Sequence, residues 1–210
     1  MTSRVRPVSR DELLACSDGV RRTYAEAFAG PPWHEDPALA DGYVERLARD
    51  VVRPGFVSAL ALSGDAGSHR AGDRGAADGD TVVGFATAWT TPDPFPTGRG
   101  YARVAAALGP GRTAAWLVGA LEVDEIALIP GARGTGLAAA LLESVTAHAP
   151  GGRSWLLTSA RAEPAVRLYR RLGWRQASGP AGGSDLVVFL GPGHPALGDP
   201  GFRRGRADSR

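Results

Sequence analysis

The stretch Leu121-Glu122-Val123-Asp124-Glu125-Ile126-Ala127-Leu128-Ile129-Pro130-Gly131-Ala132-Arg133-Gly134-Thr135-Gly136-Leu137-Ala138 changes its period halfway along. From Leu121 to Ile129, aliphatic residues interleaved with acids predict a strand. Pro130 to Gly134 reads as a turn, and Thr135 to His148 as a helix with Leu137, Leu141, Leu142 and Val145 on one face. At such a strand-to-helix turn the leading N–H groups have no partner in the helix ladder, and glycine lets an anion come close to the backbone. The turn is therefore suited to a phosphate. Arg133 adds a fixed positive charge that favours bidentate contacts with oxygens.

Working outward, Val5 to Val8 predicts a short edge strand containing Pro7. Ser9-x-x-Glu12 has the spacing of a helix capping box, and Val20, Tyr24 and Phe28 mark the buried face of a first helix. Asp18-Gly19 is a point where that helix can split, and Gly30-Pro31-Pro32 stops it. Asp36-Pro37 reads as the N-cap and first position of a second helix with Leu39, Tyr43 and Leu47 inward. Phe56 to Leu62 and Thr81 to Thr90 predict an antiparallel pair joined by a long polar connection, Ser63 to Asp80. Thr91 to Gly111 reads as a large loop with one or two helical turns at Arg103 to Leu108. Ser154 to Ala160 is the next strand, Pro164 opens a helix that Gly173 caps, and Trp174 to Ala177 with Leu186 to Leu190 form a last hairpin. The expectation is a single domain over 1–190 and a disordered or extended tail over 191–210.

The chain has 210 residues, 43% of them apolar and 22% charged, ordinary values for a folded domain. All 24 basic residues are Arg, which excludes a Walker A loop and any Schiff-base lysine. The net charge of +2 gives no electrostatic argument for nucleic acid. Cys16 is the single cysteine and the histidines lack paired spacing, so neither a disulfide within the chain nor a metal is expected. The opening residues lack a signal-peptide core and no apolar run reaches the ~18 residues of a membrane span. A cytoplasmic protein with no membrane partner is the expectation, and the sequence leaves room for a homodimer.

Two phosphate-binding patterns fit the turn. Gly134-x-Gly136-x-x-Ala139 matches a dinucleotide fingerprint, but Ser154 to Ala160 lacks the acid that should hold the ribose, and too little chain follows for a doubly wound sheet. Arg133-x-x-Gly136-x-Ala138 resembles the acyl-CoA pyrophosphate signature of the GNAT acetyltransferase superfamily. Leu168-Tyr169-Arg-Arg-Leu172-Gly173-Trp174 resembles that family's later Leu-Tyr-x-x-x-Gly-Phe element, and Asp124 to Pro130 its fourth strand. The likeness runs from about Val5 to Leu190.

The resemblance implies an α/β fold with a mixed, mostly antiparallel central sheet flanked by helices, its fourth and fifth strands splayed around the pantetheine arm of acetyl-CoA. It assigns backbone contacts to Ile126 and Leu128, and the pyrophosphate to Arg133, Gly134, Thr135, Gly136, Leu137 and Ala138. Tyr169 would protonate the departing thiolate; spacing alone equally makes it a half-buried aromatic on the stripe Ala165, Leu168, Leu172. Glu122 is the preferred base for the attacking amine and Asp124 the reserve on the same strand face, while Glu125 points away and supports the fold. Trp33, His34 and Glu35 would flank the acceptor. Family members often carry Asn where this chain has Ala162; a water or Arg161 would substitute. The implied activity is acetyl transfer to a primary amine of a small molecule or peptide. The competing function is a catalytically idle acyl-CoA-binding or regulatory module.

Overall fold

A computed structural model describes residues 2–64, 80–179, 185–199 and 202. The elements run β1 (Thr2–Val8), α1 (Arg10–Ala15), α2 (Ser17–Phe28), α3 (Leu39–Asp50), β2 (Val57–Gly64), β3 (Asp80–Thr90), α4 (Tyr101–Leu108), α5 (Pro110–Arg112), β4 (Leu121–Leu128), α6 (Leu137–Thr146), β5 (Ser154–Ser159), α7 (Glu163–Arg171), β6 (Arg175–Gln176) and β7 (Leu186–Leu190). The seven strands lie in the order β1-β2-β3-β4-β5-β7-β6, with β1–β2, β2–β3, β5–β7 and β6–β7 antiparallel and β4–β5 parallel. Two compact units divide the chain, one of residues 1–89 and 124–145, the other of 90–123 and 146–210; β4 belongs to the first from Asp124 onward and to the second before it.

In the first unit the capping box forms as its spacing predicts: Glu12 N–H donates to Ser9 Oγ at 3.2 Å, and Ser9 N–H to the Glu12 carboxylate at 2.8 Å. The predicted single helix does split, but at Cys16 rather than Asp18-Gly19. The next helix begins at Leu39, not at Pro37, because the Asp36 carboxylate accepts from Ala38 N–H at 2.9 Å and closes a turn first. Leu13, Val20, Tyr43, Leu47, Leu60, Phe85 and Trp89 fill this unit's core. A register shift at Ala61/Leu62 leaves Val83 as a bulge in β3. The bulge is put to use. Val83 C=O accepts from Ile129 N–H at 3.0 Å, and the neighbouring Val82 carbonyl receives the Thr23 hydroxyl of α2 at 3.2 Å. The polar connection expected after Ser63 lies outside the described residues for 65–79.

The second unit gathers Tyr101, Val104, Trp116, Leu117, Trp155, Val188 and Leu190 around its core. The loop expected over Thr91 to Gly111 is more ordered than its composition suggests. It carries α4 and α5, and a π-helical turn, Thr113–Leu117, follows. Pairing of β4 with β5 is limited to Leu121↔Ser154, Glu122↔Trp155 and Val123↔Leu156, although both strands continue. Residues 191–199, the start of the expected tail, carry local structure. A 3-10 turn forms at Pro195–Gly198, and His194 is buried: its Nε2–H donates to Trp116 C=O at 2.9 Å while Nδ1 accepts from Ala196 N–H. One imidazole thus satisfies a carbonyl near the end of the π-helical turn and caps its own helical turn, something no apolar stripe could announce.

Candidate functional site

The glycine turn in the first unit starts with a 3-10 turn at Pro130–Ala132, and Thr135 Oγ1 donates back to Ala132 C=O at 2.7 Å. Gly134 and Gly136 take φ of 78° and 88°, left-handed values that penalise any side chain, and open space lies where a Cβ would project at either position. Ala140 N–H closes onto Gly136 C=O at 3.1 Å, so the N–H groups ahead of it lead the helix without ladder partners within α6. Such a start favours an anion electrostatically. Arg133 donates through Nη2 to Ala27 C=O at 2.9 Å, which ties the turn to the C-terminal end of α2. Part of its hydrogen-bonding capacity is therefore structural. Ile126 and Leu128 lie on β4 upstream of the turn, where Gly84 is obligatory: a Cβ there would meet Ala127 O and Leu128 Cγ, each at 2.9 Å.

The first unit also gathers acids and phenols. Tyr24 of α2 donates its hydroxyl to Glu35 at 2.8 Å, and its ring stacks on Tyr43 of α3 with centroids 4.4 Å apart. Withdrawal from water, then the charge of Glu125, push both phenols well above the usual tyrosine range. Glu125 itself is half-buried, and its carboxyl is raised to about 8, first by loss of water and then by the neighbouring Asp124, with Glu35 adding and Arg46 opposing. Trp33 packs edge-on against Phe28, and His34 adopts a positive φ of 47°.

In the second unit Tyr101 Oη donates to Glu122 at 2.8 Å, and both residues are buried. Tyr101 lies against Phe95 and Trp155, whose indole N–H donates to Thr91 Oγ1 at 2.7 Å. Tyr169 is 4% exposed between Trp174 and Phe189. Arg161 reaches Asp185 at 3.5 Å beside a Ser159–Asp185 hydrogen bond that lowers the Asp185 carboxyl. The candidate residues thus fall in both units: Trp33, His34, Glu35, Asp124, Ile126, Leu128 and Arg133 to Ala138 in the first, Glu122 and Tyr169 in the second. Sequence reasoning missed Tyr101, because a tyrosine in a Pro- and Gly-rich segment gives no sign of its partner.

The sheet is seven-stranded and mostly antiparallel, its parallel pair β4–β5 is short, and a glycine turn leads from β4 into α6. The model of the acetyltransferase (GNAT) family matches residues 61–174, more than half of the chain, and the chain belongs to that family. Solved structures agree on the fold. A structure titled histone acetyltransferase HPA2 and related acetyltransferase from Corynebacterium glutamicum is 20% identical, with 93% of this chain and 99% of that one covered and a TM-score of 0.54. PaiA N-acetyltransferase from Thermoplasma acidophilum, in complex with coenzyme A, is 15% identical over 90% and 98%, with a TM-score of 0.52. NAA60 of Arabidopsis thaliana, in complex with a bisubstrate analogue, is 17% identical over 90% and 98%, with a TM-score of 0.50. No curated protein matches.

Proposed function

We propose that the protein transfers the acetyl group of acetyl-CoA to a primary amine of a small molecule or peptide by direct attack. The observation that carries this is the turn at Arg133 to Ala138: two left-handed glycines with open space above them at the start of α6. That cradle fits a pyrophosphate. Ile126 and Leu128 would offer backbone groups to the pantetheine arm as a strand offers its edge. Acetyl-CoA supplies the activated acyl carbon, whose C–S bond breaks as the C–N bond forms.

Three tasks then fall to side chains. The attacking amine must lose a proton, the carbonyl oxygen must be stabilised as charge builds, and the sulfur must gain a proton. Glu122 takes the first proton, directly or through water, with Asp124 in reserve. Tyr169 gives one to the sulfur. Trp33, His34 and Glu35 flank the acceptor. No helix among the described residues is long and apolar enough to cross a membrane.

Calorimetry with acetyl-CoA, followed by thiol release across a panel of amines, tests this. Binding plus acceptor-dependent thiol is the expected result. Binding with no thiol from any amine would favour the idle acyl-CoA-binding module.

A further inference from the structure

In the second unit the chain leaves the sheet at Thr91 and returns to it at Leu121, and the two ends of that excursion are tied to each other. Thr91 N–H donates to Ala120 C=O and Gly119 N–H donates to Thr91 C=O, both at 2.9 Å. One residue thus closes the loop through both of its backbone groups. Its side chain is engaged as well: the buried Thr91 hydroxyl accepts from the Trp155 indole at 2.7 Å. On the returning side Arg153 Nη2 donates to the carbonyls of Ala115 and Val118 at 3.0 and 2.8 Å, which anchors the π-helical turn to the residue before β5. A segment rich in Gly and Pro is thereby held in one place.

What the excursion brings to β4 is Tyr101, the first residue of α4, whose hydroxyl donates to Glu122 Oε2 at 2.8 Å with both residues buried. Glu122 stands two positions after Ala120, so the closure of the loop and the reach of its tyrosine bear on the same end of β4. The Tyr101 ring is set edge-on against Phe95, with centroids 5.3 Å apart, and lies 6.4 Å from the Trp155 ring. Trp155 is also the β5 residue paired with Glu122. One indole therefore holds the start of the excursion, flanks its tyrosine and neighbours the carboxylate. Apolar packing needs only the ring of Tyr101. The hydroxyl serves Glu122, since a buried carboxylate oxygen without a donor is costly.

We propose that Tyr101 is a positioning residue for acetyl transfer: carried by the closed excursion between Thr91 and Gly119, it fixes the orientation of Glu122 toward the attacking amine. This rests on the reading of Glu122 as the base. A glutamate side chain has several rotatable bonds, and proton transfer requires the carboxylate within hydrogen-bond reach of the proton it takes. The tether removes that search in advance, so its loss costs rate rather than affinity. The amine's proton passes to Glu122 as the C–N bond forms, and Tyr101 keeps its own.

A double-mutant cycle on the full chain tests the assignment, with acetyl-CoA and the amine that gives the highest turnover in the thiol-release panel. Tyr101→Phe should lower kcat about tenfold, with KM for the amine and the calorimetric affinity for acetyl-CoA within about twofold of wild type. In the Glu122→Gln background the same substitution should change kcat by less than about twofold, because the hydroxyl then has no carboxylate to orient. A tyrosine that only packs would cost the same in both backgrounds. If Tyr101→Phe lowers Tm by more than about 3 °C, Thr91→Val, which loosens the closure and touches neither member of the pair, repeats the cycle and should lower kcat only where Glu122 is present. Wild-type kcat in Tyr101→Phe, or an equal loss in both backgrounds, would overturn the proposal. The two claims fail in different ways. No thiol from any amine in the wild type sinks the transferase and the positioning role with it; turnover that survives Glu122→Gln or Tyr101→Phe unchanged sinks the positioning role and leaves the transferase.

Discussion

Tyr101 Oη and the Glu122 carboxylate are joined by a 2.8 Å hydrogen bond in a buried setting, which fixes one oxygen of the carboxylate. Glu122→Gln, nearly isosteric and uncharged, should lower turnover by about 10² or more, and Asp124→Asn should cost much less. Tyr101→Phe should keep the packing against Phe95 and Trp155 and lower turnover, since the carboxylate loses the contact that orients it. Single-turnover kinetics decide between the carboxylates: activity that survives Glu122→Gln but not Asp124→Asn would exchange their roles.

Gly136→Val should abolish acetyl-CoA binding with little change in the remaining fold. The substitution asks a β-branched residue to hold a φ of 88° and fills the open space above the turn. Calorimetry on the variant checks this, and wild-type affinity would place the pyrophosphate elsewhere.

Tyr169→Phe retains the ring between Trp174 and Phe189 and removes only the hydroxyl. If the hydroxyl protonates sulfur, the chemical step slows by roughly 10² while CoA affinity holds. An unchanged single-turnover rate would return Tyr169 to a packing role.

Ending the chain at Gly191 should destabilise the second unit, because it removes the His194 contacts to Trp116 and Ala196. A loss of about 1–3 kcal/mol, or about 3–10 °C in Tm, is expected. Burial holds the His194 imidazole below its ordinary value. The unfolded state therefore binds the proton more readily, so this stabilisation is present above about pH 6.5 and fades as pH falls below it. A His194→Ala melting curve that tracks wild type across pH 5 to 8 would contradict this.

Glu125 titrates in the opposite sense. Its folded carboxyl keeps a proton up to about pH 8, against 4.5 in the unfolded chain, so the folded state binds more protons between those values. Stability falls as pH rises through that window and levels off above it. Glu125→Gln should remove the slope and raise stability at pH 8 by about 1–3 kcal/mol, allowing for the partial exposure of the residue. Thermal melts of both proteins at pH 5 and pH 8 measure the difference.

Local chemistry was readable because it acts over a few residues. The capping box at Ser9 and Glu12, the strand-turn-helix around Arg133 to Ala138 and the Pro164 helix start all follow from spacing and backbone preference. Each needs only neighbours in the chain to form. The alternation along β4 separated Glu122 from Glu125, but not what each would meet. That was decided by tertiary structure: Tyr101 reaches Glu122 from 21 residues away, Glu35 and Arg46 bring their influence to Glu125 from far upstream, and His194 closes on Trp116 from 78 residues downstream. Hydrogen bonds and desolvation depend on distance in space, and in this chain the residues that act on Glu125 from outside its own strand come from elements whose own sequences announce only helix or loop.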